Sequence, residues 1–359
     1  MEKLVIAPHQ LFCILFISRV LSSILYSPVI QPSLEPIGYI FGSIIGILLQ
    51  LVLLVPLMFY MQLSENQPFS ISSFCSLGKI GPIVVVLYVL FCLVSAVGSL
   101  SEISFFMATF TREYSMLFYL VVASVVGFYV AYSGIQCIAR IGFLFAIGLV
   151  VSLLIAAVGG FFHINIYSIV PVYQGNISQT WSGLSRYLSN NSDFVLLVLL
   201  APYVKTGVKK LSILAVAATG IVSAFAMFVS AGVLGTFFNK LAFPYYTMFA
   251  SMNLFGIRRL DVIQLYFCFL LYILKFSVLI FAGARNLENL FPIPKRKPVF
   301  WIFCIVVFAL ALAVGISDFK FVPVQLSQNL AVSILLLTII PSAMAISLAI
   351  KKRKRGERK

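Results

Sequence analysis

The chain has very little charge and few acidic residues. Only 10% of its 359 residues are charged, and 25 lysines and arginines stand against 10 aspartates and glutamates, whereas 62% of the residues are hydrophobic. Together with a mean hydropathy of +1.09, this composition excludes a soluble globular domain. It is typical of an integral membrane protein.

The chain also lacks the residue clusters on which most enzymes and metalloproteins depend. It has two histidines, His9 and His163, and six scattered cysteines without CxxC spacing, which we interpret as packing residues. The sequence contains no nucleophile elbow, P-loop or dinucleotide-binding fingerprint. We therefore expect no cofactor, no metal site and no enzymatic activity.

Long hydrophobic runs fill most of the chain. Since a membrane-spanning helix needs about 20 apolar residues, we predict ten spans, at residues 10–30, 37–60, 82–108, 115–132, 139–161, 188–204, 211–237, 261–284, 299–317 and 328–350. We expect one all-α integral membrane domain over residues 1–359, with five-helix halves in 1–160 and 161–350 and a basic cytoplasmic tail in 351–359. The start of the chain shows no small-residue cleavage pattern, so we expect the first span to insert uncleaved.

Two features predict local structure around the second span. Gly38, Gly42 and Gly46 recur at intervals of four residues within it, which favours close packing of another helix. The polar segment 67–82 that follows predicts a short interfacial helix.

The basic residues favour one orientation in the membrane. With both termini inside, 17 lysines and arginines lie on the cytoplasmic side and six on the other, while Arg19 and Lys275 lie within spans. This bias follows the positive-inside rule. The run Lys351–Arg355 directly follows a hydrophobic span, so we interpret it as an anchor on anionic membrane lipid and expect no nucleic-acid partner.

Polar residues interrupt two spans, the first of each half. One interruption is Ser22–Pro28 and the other is Ser189–Asp193. Backbone in lipid cannot stay unpaired unless it faces protein or a wet cavity. The two breaks therefore predict discontinuous helices 1 and 6 and a ligand site near the membrane midplane, as in transporters with inverted repeats. The two halves have no detectable sequence identity, so the repeat argument depends on these interruptions alone.

The polar and aromatic residues in these spans and in the third span are the candidate ligand-binding residues: Arg19, Ser22, Ser23, Tyr26, Ser101, Glu102, Phe105, Asn190, Asn191, Ser192 and Asp193. Arg19 lies roughly 16 Å into its span, where a charge costs roughly 2.5–3.5 kcal/mol. It predicts an anchor for a ligand carboxylate or a gate, and the alternative is an internal ion pair. Glu102 predicts a site for a ligand amine or a partner of Arg19 or Lys275. If the sixth helix begins only at Ser192, Asn190–Asp193 is instead a loop that caps it.

Four short motifs resemble those of spore germination permeases. They are Gly134-Ile135-Gln136-Cys137-Ile138-Ala139-Arg140, Pro171-Val172-Tyr173-Gln174-Gly175, Phe243-Pro244-Tyr245-Tyr246 and Arg259-Leu260-Asp261-Val262-Ile263. The chain is thus similar to the B subunit of nutrient germinant receptors (GerAB type), a branch of the amino acid–polyamine–organocation superfamily. Gln136 replaces the acidic residue usual in the first motif, and the first interruption lacks the glycine that relatives use near a carboxylate. A nutrient other than a free amino acid therefore stays open.

The resemblance implies a LeuT-like 5+5 inverted repeat in the inner membrane of a bacterial spore. It implies a subunit that senses a small nutrient, commonly an amino acid, and triggers germination together with A-type and C-type receptor subunits. In LeuT-like folds the first and eighth helices enclose a sodium site, so Lys275, in the eighth span, is predicted to mimic that cation. The alternative for Lys275 is snorkelling to the membrane surface.

Two other functions fit the same features. One is a working amino acid or amine permease, proton-coupled or uniport, which would use the same pocket. The other is a scaffold subunit with a vestigial pocket.

Overall fold

The computed structural model describes residues 6–25, 36–64, 67–111, 114–164, 177–204, 207–252, 260–290, 297–317 and 322–356. Within these ranges the chain is helical apart from short connections, and the β pairing found there is an isolated parallel bridge between Ile6 and Val204. The predicted all-α architecture is therefore confirmed.

The described residues form fifteen α-helices. They are α1 (Pro8–Ile24), α2 (Pro36–Leu63), α3 (Phe69–Leu77), α4 (Gly81–Thr111), α5 (Met116–Tyr132), α6 (Ile135–Phe161), α7 (Ile177–Asn190), α8 (Val195–Leu200), α9 (Val208–Leu234), α10 (Pro244–Ser251), α11 (Leu260–Leu290), α12 (Lys297–Ile316), α13 (Val322–Ser327), α14 (Leu330–Ile334) and α15 (Ile340–Gly356). The 3₁₀ segments are Gly78–Ile80, Asn191–Phe194, Ala201–Tyr203 and Gly235–Lys240, and a π-helix, Leu335–Ile339, joins α14 to α15.

Seven helical stretches in the described part of the chain are long and apolar enough to cross a membrane. They are Gly38–Leu63, Phe69–Thr111, Ile135–Phe161, Val208–Leu234, Asp261–Leu290, Pro298–Ile316 and Leu330–Arg353. These stretches coincide with seven of the ten predicted spans. Helices α1 and α5 are apolar but shorter, and the sixth predicted span is divided among α7, α8 and 3₁₀ turns. The molecule is a helical integral membrane protein, while the count of ten spans, the LeuT-like repeat and the division near residue 160 stay predictions.

Helix α1 lies at the centre of the bundle. All its residues from Cys13 to Ile24 are buried, and it packs against α6, α9, α11 and the 3₁₀ segment Asn191–Phe194. A helix that is apolar on nearly all sides is typically a buried one. Because water and lipid headgroups do not reach it, the polar side chains of α1 must be satisfied by other protein groups or by a ligand.

The glycines of α2 let α7 approach it backbone to backbone. A Cβ atom placed on Gly42 would lie 2.3 Å from the backbone nitrogen of Leu184, and one on Gly183 would lie 2.0 Å from the carbonyl oxygen of Gly38. The packing role predicted for the glycine stripe of α2 is confirmed. This contact positions α7, which leads directly into the second predicted interruption.

The second predicted interruption is a change of helix type. Helix α7 ends at Asn190, the next four residues form a 3₁₀ turn, and α8 begins at Val195. Asn190 and Phe194 keep right-handed helical dihedral angles (φ −65°, ψ −15° and φ −66°, ψ −8°). The cap-loop alternative is wrong, because a helix already precedes this cluster by more than three turns. A 3₁₀ stretch within a helical run often marks a hinge or strain.

The first predicted interruption is described only in part. Helix α1 continues to Ile24, so Ser22 and Ser23 lie on its last turn. Tyr26 and the rest of the interruption up to Pro28 lie outside the described residues. A discontinuous first helix therefore stays a prediction.

Two of the quoted motifs contact each other. The hydroxyl of Tyr246, in α10, donates a hydrogen bond to Oδ2 of Asp261, at the start of α11, over 3.4 Å. In the first motif, Gly134 precedes α6 with φ +92°, a conformation that glycine adopts without strain. The motif 171–175 and Arg259 lie outside the described residues. Helix α3 is the short helix predicted within 67–82.

Candidate functional site

Four polar residues of α1 lie on adjacent faces of its second half. Ser18 and Ser22 are separated by one helical turn, as are Arg19 and Ser23, so each pair lies along one line of the helix. All four are buried, and Arg19 is fully so. The first pair faces α11 and the second faces α7 and α9, which divides the site into two halves, one around Lys275 and one around Arg19.

The Lys275 half is centred on a buried ion pair. The Nζ atom of Lys275 lies 2.8 Å from Oδ2 of Asp193. It also donates to Oγ of Ser22 at 2.7 Å and to the carbonyl oxygen of Ser18 at 3.4 Å. An ammonium group has three hydrogens, and here each of them has an acceptor. Lys275 is 5% exposed, so the snorkelling alternative is wrong.

The Arg19 half has a different composition. The Nε atom of Arg19 donates to Oδ1 of Asn191, and its Nη1 atom donates to Oγ of Ser23 at 2.8 Å. Ser23 in turn donates to Oγ of Ser223 at 2.8 Å, and the guanidinium carbon lies 5.2 Å from the centre of the Tyr187 ring. These contacts fix the plane of the guanidinium group without neutralising its charge.

Arg19 has no carboxylate partner among the described residues. The ion pairs found there are Lys275–Asp193 and Arg285–Glu288. The Nη2 atom of Arg19 is buried without a hydrogen-bond partner in the described part of the chain. Within the described part of the chain, the internal ion pair that was the alternative for Arg19 is therefore not formed. A buried cation without a counter-charge is costly, and this leaves the carboxylate-anchor hypothesis for Arg19 in place.

Glu102 belongs to the Lys275 half of the site but not to its ion pair. Its Oε2 atom accepts a hydrogen bond from the hydroxyl of Tyr272 at 3.0 Å. Glu102 forms no ion pair with Arg19 or Lys275, so this alternative for it is not formed and Asp193 pairs with Lys275 instead. The ligand-amine alternative for Glu102 stays a prediction. Glu102 and Lys275 nevertheless line one small cavity. We call it the Glu102 cavity.

The other candidates of the third span lie apart from this cavity. Ser101 is fully buried on α4, and its hydroxyl has no partner among the described residues. Phe105 packs against Phe243, with ring centres 6.0 Å apart, in an aromatic group near the C-terminal end of α4. Neither residue lines the Glu102 cavity. The helical turn points them in other directions than Glu102.

The asparagines at the end of α7 differ from each other. The side-chain amide of Asn191 binds two residues. Its Oδ1 atom accepts a hydrogen bond from Arg19, and its Nδ2 atom donates one to Oε1 of Gln50 at 3.4 Å. Both side-chain amide atoms of Asn190 are buried without a partner in the described residues. Ser192 is buried as well. The 3₁₀ turn thus places Asn191 toward Arg19 and Asp193 toward Lys275.

Several residues of the site were not predicted. They are Gln50, Ser95, Tyr187, Ser223, Tyr272, Ser327 and Gln328. A signal existed for Gln50, because it is an amide within an apolar span, where polar residues usually face the interior. The hydroxyl-bearing residues gave no such signal, since serine and tyrosine also occur in membrane helices as packing or interface residues.

Comparison with known protein families gives one match. A family model described as spore germination protein matches residues 5–318. No curated protein matches the chain. The matched range contains Arg19, Glu102, Asp193 and Lys275, whereas Ser327 and Gln328 lie beyond it. The match agrees with the resemblance carried by the four motifs. The chain belongs to the spore germination protein family, a family of permease-type membrane proteins.

Proposed function

We propose that this chain is the nutrient-sensing membrane subunit of a spore germinant receptor and that Arg19 binds an acidic group of the nutrient. Binding would occur in the buried polar cluster around α1 and the 3₁₀ segment Asn191–Phe194, where the Arg19 half faces α7 and α9 and the Lys275 half faces α4 and α11. The response would pass to A-type and C-type partner subunits. Family membership supports the role in germination, and the geometry around Arg19 supports the ligand site.

The observation that carries the proposal is the buried guanidinium of Arg19. Its exposed fraction is 0%, it has no carboxylate partner among the described residues, and Nη2 is left without an acceptor there. Two of its nitrogens are already held by Asn191 and Ser23, so the third is oriented before a ligand arrives. A ligand carboxylate would supply both the missing charge and the missing acceptor, in a charge-assisted hydrogen bond.

Further buried donors surround this position. Nδ2 of Asn190 and Nε2 of Gln50 lack partners among the described residues, and Gln50 is joined to Arg19 through Asn191. An unmade hydrogen bond of a buried polar group costs about 1–3 kcal/mol. A polar ligand that accepts from these groups would remove that cost, whereas an apolar ligand would not.

A conformational change would have to accompany binding. The cavity beside Lys275 has room for about one water molecule, which is less than an amino acid needs. The 3₁₀ turn at Asn191–Phe194 offers a hinge between α7 and α8. A ligand that prefers the opened arrangement shifts the equilibrium by its differential affinity for the two states, and partner subunits can respond to that shift.

Lys275 fits a structural role in this scheme. A carbonyl oxygen, a hydroxyl and a carboxylate surround its ammonium group, and oxygen groups of this kind also bind alkali cations. We infer that Lys275 replaces a cation between α1 and α11. The variant Lys275→Ala should then show a ligand response that is weaker or depends on sodium. An unchanged response without sodium would contradict this role.

The orientation and location follow from the same proposal. The excess of basic residues in the segments assigned to the cytoplasmic side supports both termini on the spore-core side of the inner spore membrane. Labelling of a cysteine added at the C-terminus, in intact and in opened vesicles, measures this orientation.

The testing experiment is a thermal-shift screen of the purified full chain against amino acids, sugars and nucleosides. A ligand that binds the folded state raises the melting temperature as its concentration exceeds Kd. We expect stabilisation by a compound that carries a carboxylate or another acidic group, and we expect Arg19→Met to abolish it. Arg140→Met is the matched control, because Arg140 is exposed on α6.

The outcomes distinguish the rival functions. Stabilisation by a compound without an acidic group, or a response retained in Arg19→Met, would contradict the ligand site. Accumulation of the same compound in vesicles that contain only this chain would show a permease instead of a sensor. A chain that no compound stabilises, alone or with its partner subunits, would be a scaffold.

A further inference from the structure

The Glu102 cavity lies between α4, α11, the 3₁₀ segment Asn191–Phe194 and α13. Polar groups dominate its wall, which includes both carboxylates of the buried cluster. Its lining side chains are those of Glu102, Asp193, Lys275, Ser95, Ser99 and Ser327, with Gln328 at one side. It has room for about one water molecule.

Most donor hydrogens of the side chains that line the cavity already bind other groups. Lys275 has an acceptor for each of its three ammonium hydrogens, and the hydroxyl of Tyr272 donates to Glu102. The hydroxyls of Ser99 and Ser327 donate to backbone carbonyl oxygens of their own helices, at 2.8 and 3.1 Å. The oxygens of these groups therefore have lone pairs available to the cavity, and the remaining donor groups among the described lining side chains are the amide of Gln328 and the hydroxyl of Ser95.

A second observation points to a missing partner. Oγ of Ser95, on the cavity wall, is buried and has no hydrogen-bond partner in the described residues. A hydroxyl this deeply buried is normally satisfied. Lys275 and Ser22 both bind Oδ2 of Asp193, so Oδ1 is the carboxylate oxygen that neither of them uses. The Ser95 hydroxyl can supply one hydrogen, but among the described lining groups the acceptors outnumber the remaining donors, which favours a cation as the missing partner.

The charges agree with this assignment. Two carboxylates, Glu102 and Asp193, face one ammonium, Lys275, so the ionised lining carries one negative charge in excess. The other charged group near Glu102 is Arg186, whose Nη2 atom donates to Oε1 of Gln328 at 3.2 Å and which does not line the cavity. One monovalent positive charge would balance the lining.

We propose that the Glu102 cavity binds a small monovalent cationic group, held by Glu102, Asp193 and the hydroxyls of Ser95, Ser99 and Ser327. Two kinds of occupant share this chemistry. One is a free alkali or ammonium ion, and the other is the primary ammonium group of the nutrient. The second kind rests on the proposed function, and the first does not. This site differs from the position of the Lys275 ammonium, which lies against α1.

Helix α13 limits the size of the occupant. It packs directly on α4, since a Cβ atom on Gly98 would lie 3.2 Å from the backbone nitrogen of Val324. Ser327 and Gln328, which follow in the same segment, close the cavity. A group of about the size of water fits, whereas a quaternary ammonium ion such as choline does not. Choline chloride is therefore a suitable control salt.

The test measures the melting temperature of the purified full chain in choline chloride and in sodium, potassium, ammonium and methylammonium chloride of equal concentration. We expect at least one small cation to raise the melting temperature with the logarithm of its concentration. Glu102→Gln should remove this rise, because it keeps the shape of the side chain and removes the charge. Glu288→Gln is the matched control, since Glu288 pairs with Arg285 and lies away from the cavity.

Each outcome decides between support and rejection. A rise with sodium, potassium or ammonium that depends on Glu102 supports a free ion, and a rise with methylammonium alone supports an ammonium head carried by a ligand. Equal melting temperatures in all five salts would overturn the proposal, as would a rise that persists in Glu102→Gln. If Glu102→Gln does not fold, Ser95→Ala replaces it and should lower the cation affinity. Ligand binding that depends on Arg19 without any cation effect would leave the proposed function intact and reject only this site.

Discussion

Two buried cations, Arg19 on α1 and Lys275 on α11, have opposite surroundings. Lys275 contacts one face of α1, and Arg19 projects from the neighbouring face. Lys275 has a carboxylate partner at 2.8 Å and an acceptor for every hydrogen. Arg19 is held by neutral groups, and its Nη2 atom has no partner among the described residues. Both positions are costly in a membrane interior. This difference supports our proposal that one cation is part of the folded structure and the other binds a ligand.

This contrast depends on the 3₁₀ segment Asn191–Phe194. Over three residues it presents an amide to Arg19 and a carboxylate to Lys275. Had the two side chains exchanged places, Arg19 would be neutralised and Lys275 would need a ligand. The segment is therefore the element that assigns the two roles.

The largest expected effect comes from breaking the Lys275–Asp193 pair. We expect Lys275→Met to lower the free energy of unfolding by about 3–5 kcal/mol, because it leaves a buried carboxylate without a counter-charge. The double variant Lys275→Met with Asp193→Leu should recover most of that loss. Thermal unfolding of the purified variants in detergent measures both. If Lys275→Met is as stable as the original chain, Lys275 does not have the structural role that distinguishes it from Arg19.

Arg19 should show the opposite balance between stability and binding. We expect Arg19→Met to cost less stability than Lys275→Met, since it removes a buried charge that has no partner in the described residues. It should weaken binding of an acidic ligand by about 10- to 100-fold, the equivalent of a lost charged hydrogen bond of roughly 1.5–3 kcal/mol. Titration of the melting temperature with the ligand found in the screen gives this ratio. A severe loss of stability with unchanged affinity would reverse the roles assigned here.

A change in the packing of α7 on α2 should alter the surroundings of Arg19 and Lys275 together, because α7 leads into the 3₁₀ segment that contacts both. Gly183→Ala places a Cβ atom 2.0 Å from a backbone oxygen of α2, so we expect a loss of about 1–3 kcal/mol from overpacking. The resulting shift of α7 should also weaken the ligand response. Gly315→Ala is the control, because its Cβ would lie 3.4 Å from the end of a leucine side chain. Equal stability of the two variants would show that α7 is not held by this contact.

The smallest effect is expected at the hydrogen bond between Tyr272 and Glu102. We expect Tyr272→Phe to cost about 0.5–1.5 kcal/mol, the net contribution of one hydrogen bond. Stabilisation by small cations should persist or increase, because Glu102 then has one donor fewer. Tyr119→Phe, which removes a similar bond to Thr111, should cost about as much and leave the cation response unchanged. Loss of the cation response in Tyr272→Phe would place the cation elsewhere.

The residues that carry buried charge were predictable from the sequence, but their pairing was not. Arg19, Glu102, Asp193 and Lys275 are conspicuous because a charge in a hydrophobic span is costly and needs an interior partner. The sequence suggested Glu102 as a partner of Arg19 or Lys275 and did not single out Asp193 for that role. Asp193 pairs with Lys275 because of the rotation of the 3₁₀ turn, which a pattern of residue types does not reveal.

Single polar residues were harder to assign than charges. Ser101 and Phe105 are one and three residues from Glu102, yet α4 turns by about 100° per residue, and neither lines the Glu102 cavity. Gln50 and Ser223 come from helices far apart in the chain and reach the site through α2 and α9. Tyr26 lies outside the described residues, so its assignment stays a prediction.

The resemblance of four motifs indicated the family. The sequence by itself also determined the membrane class, the positions of most spans and the identity of the buried charges. These properties follow from local quantities, the length of an apolar run and the cost of transferring a charged group out of water. Only the tertiary structure decided which carboxylate neutralises Lys275, that one donor of Arg19 has no partner among the described residues, and that α13 lines a mostly polar cavity. Those properties depend on the rotation of each helix about its axis, and helix–helix packing sets that rotation through contacts between residues distant in the chain.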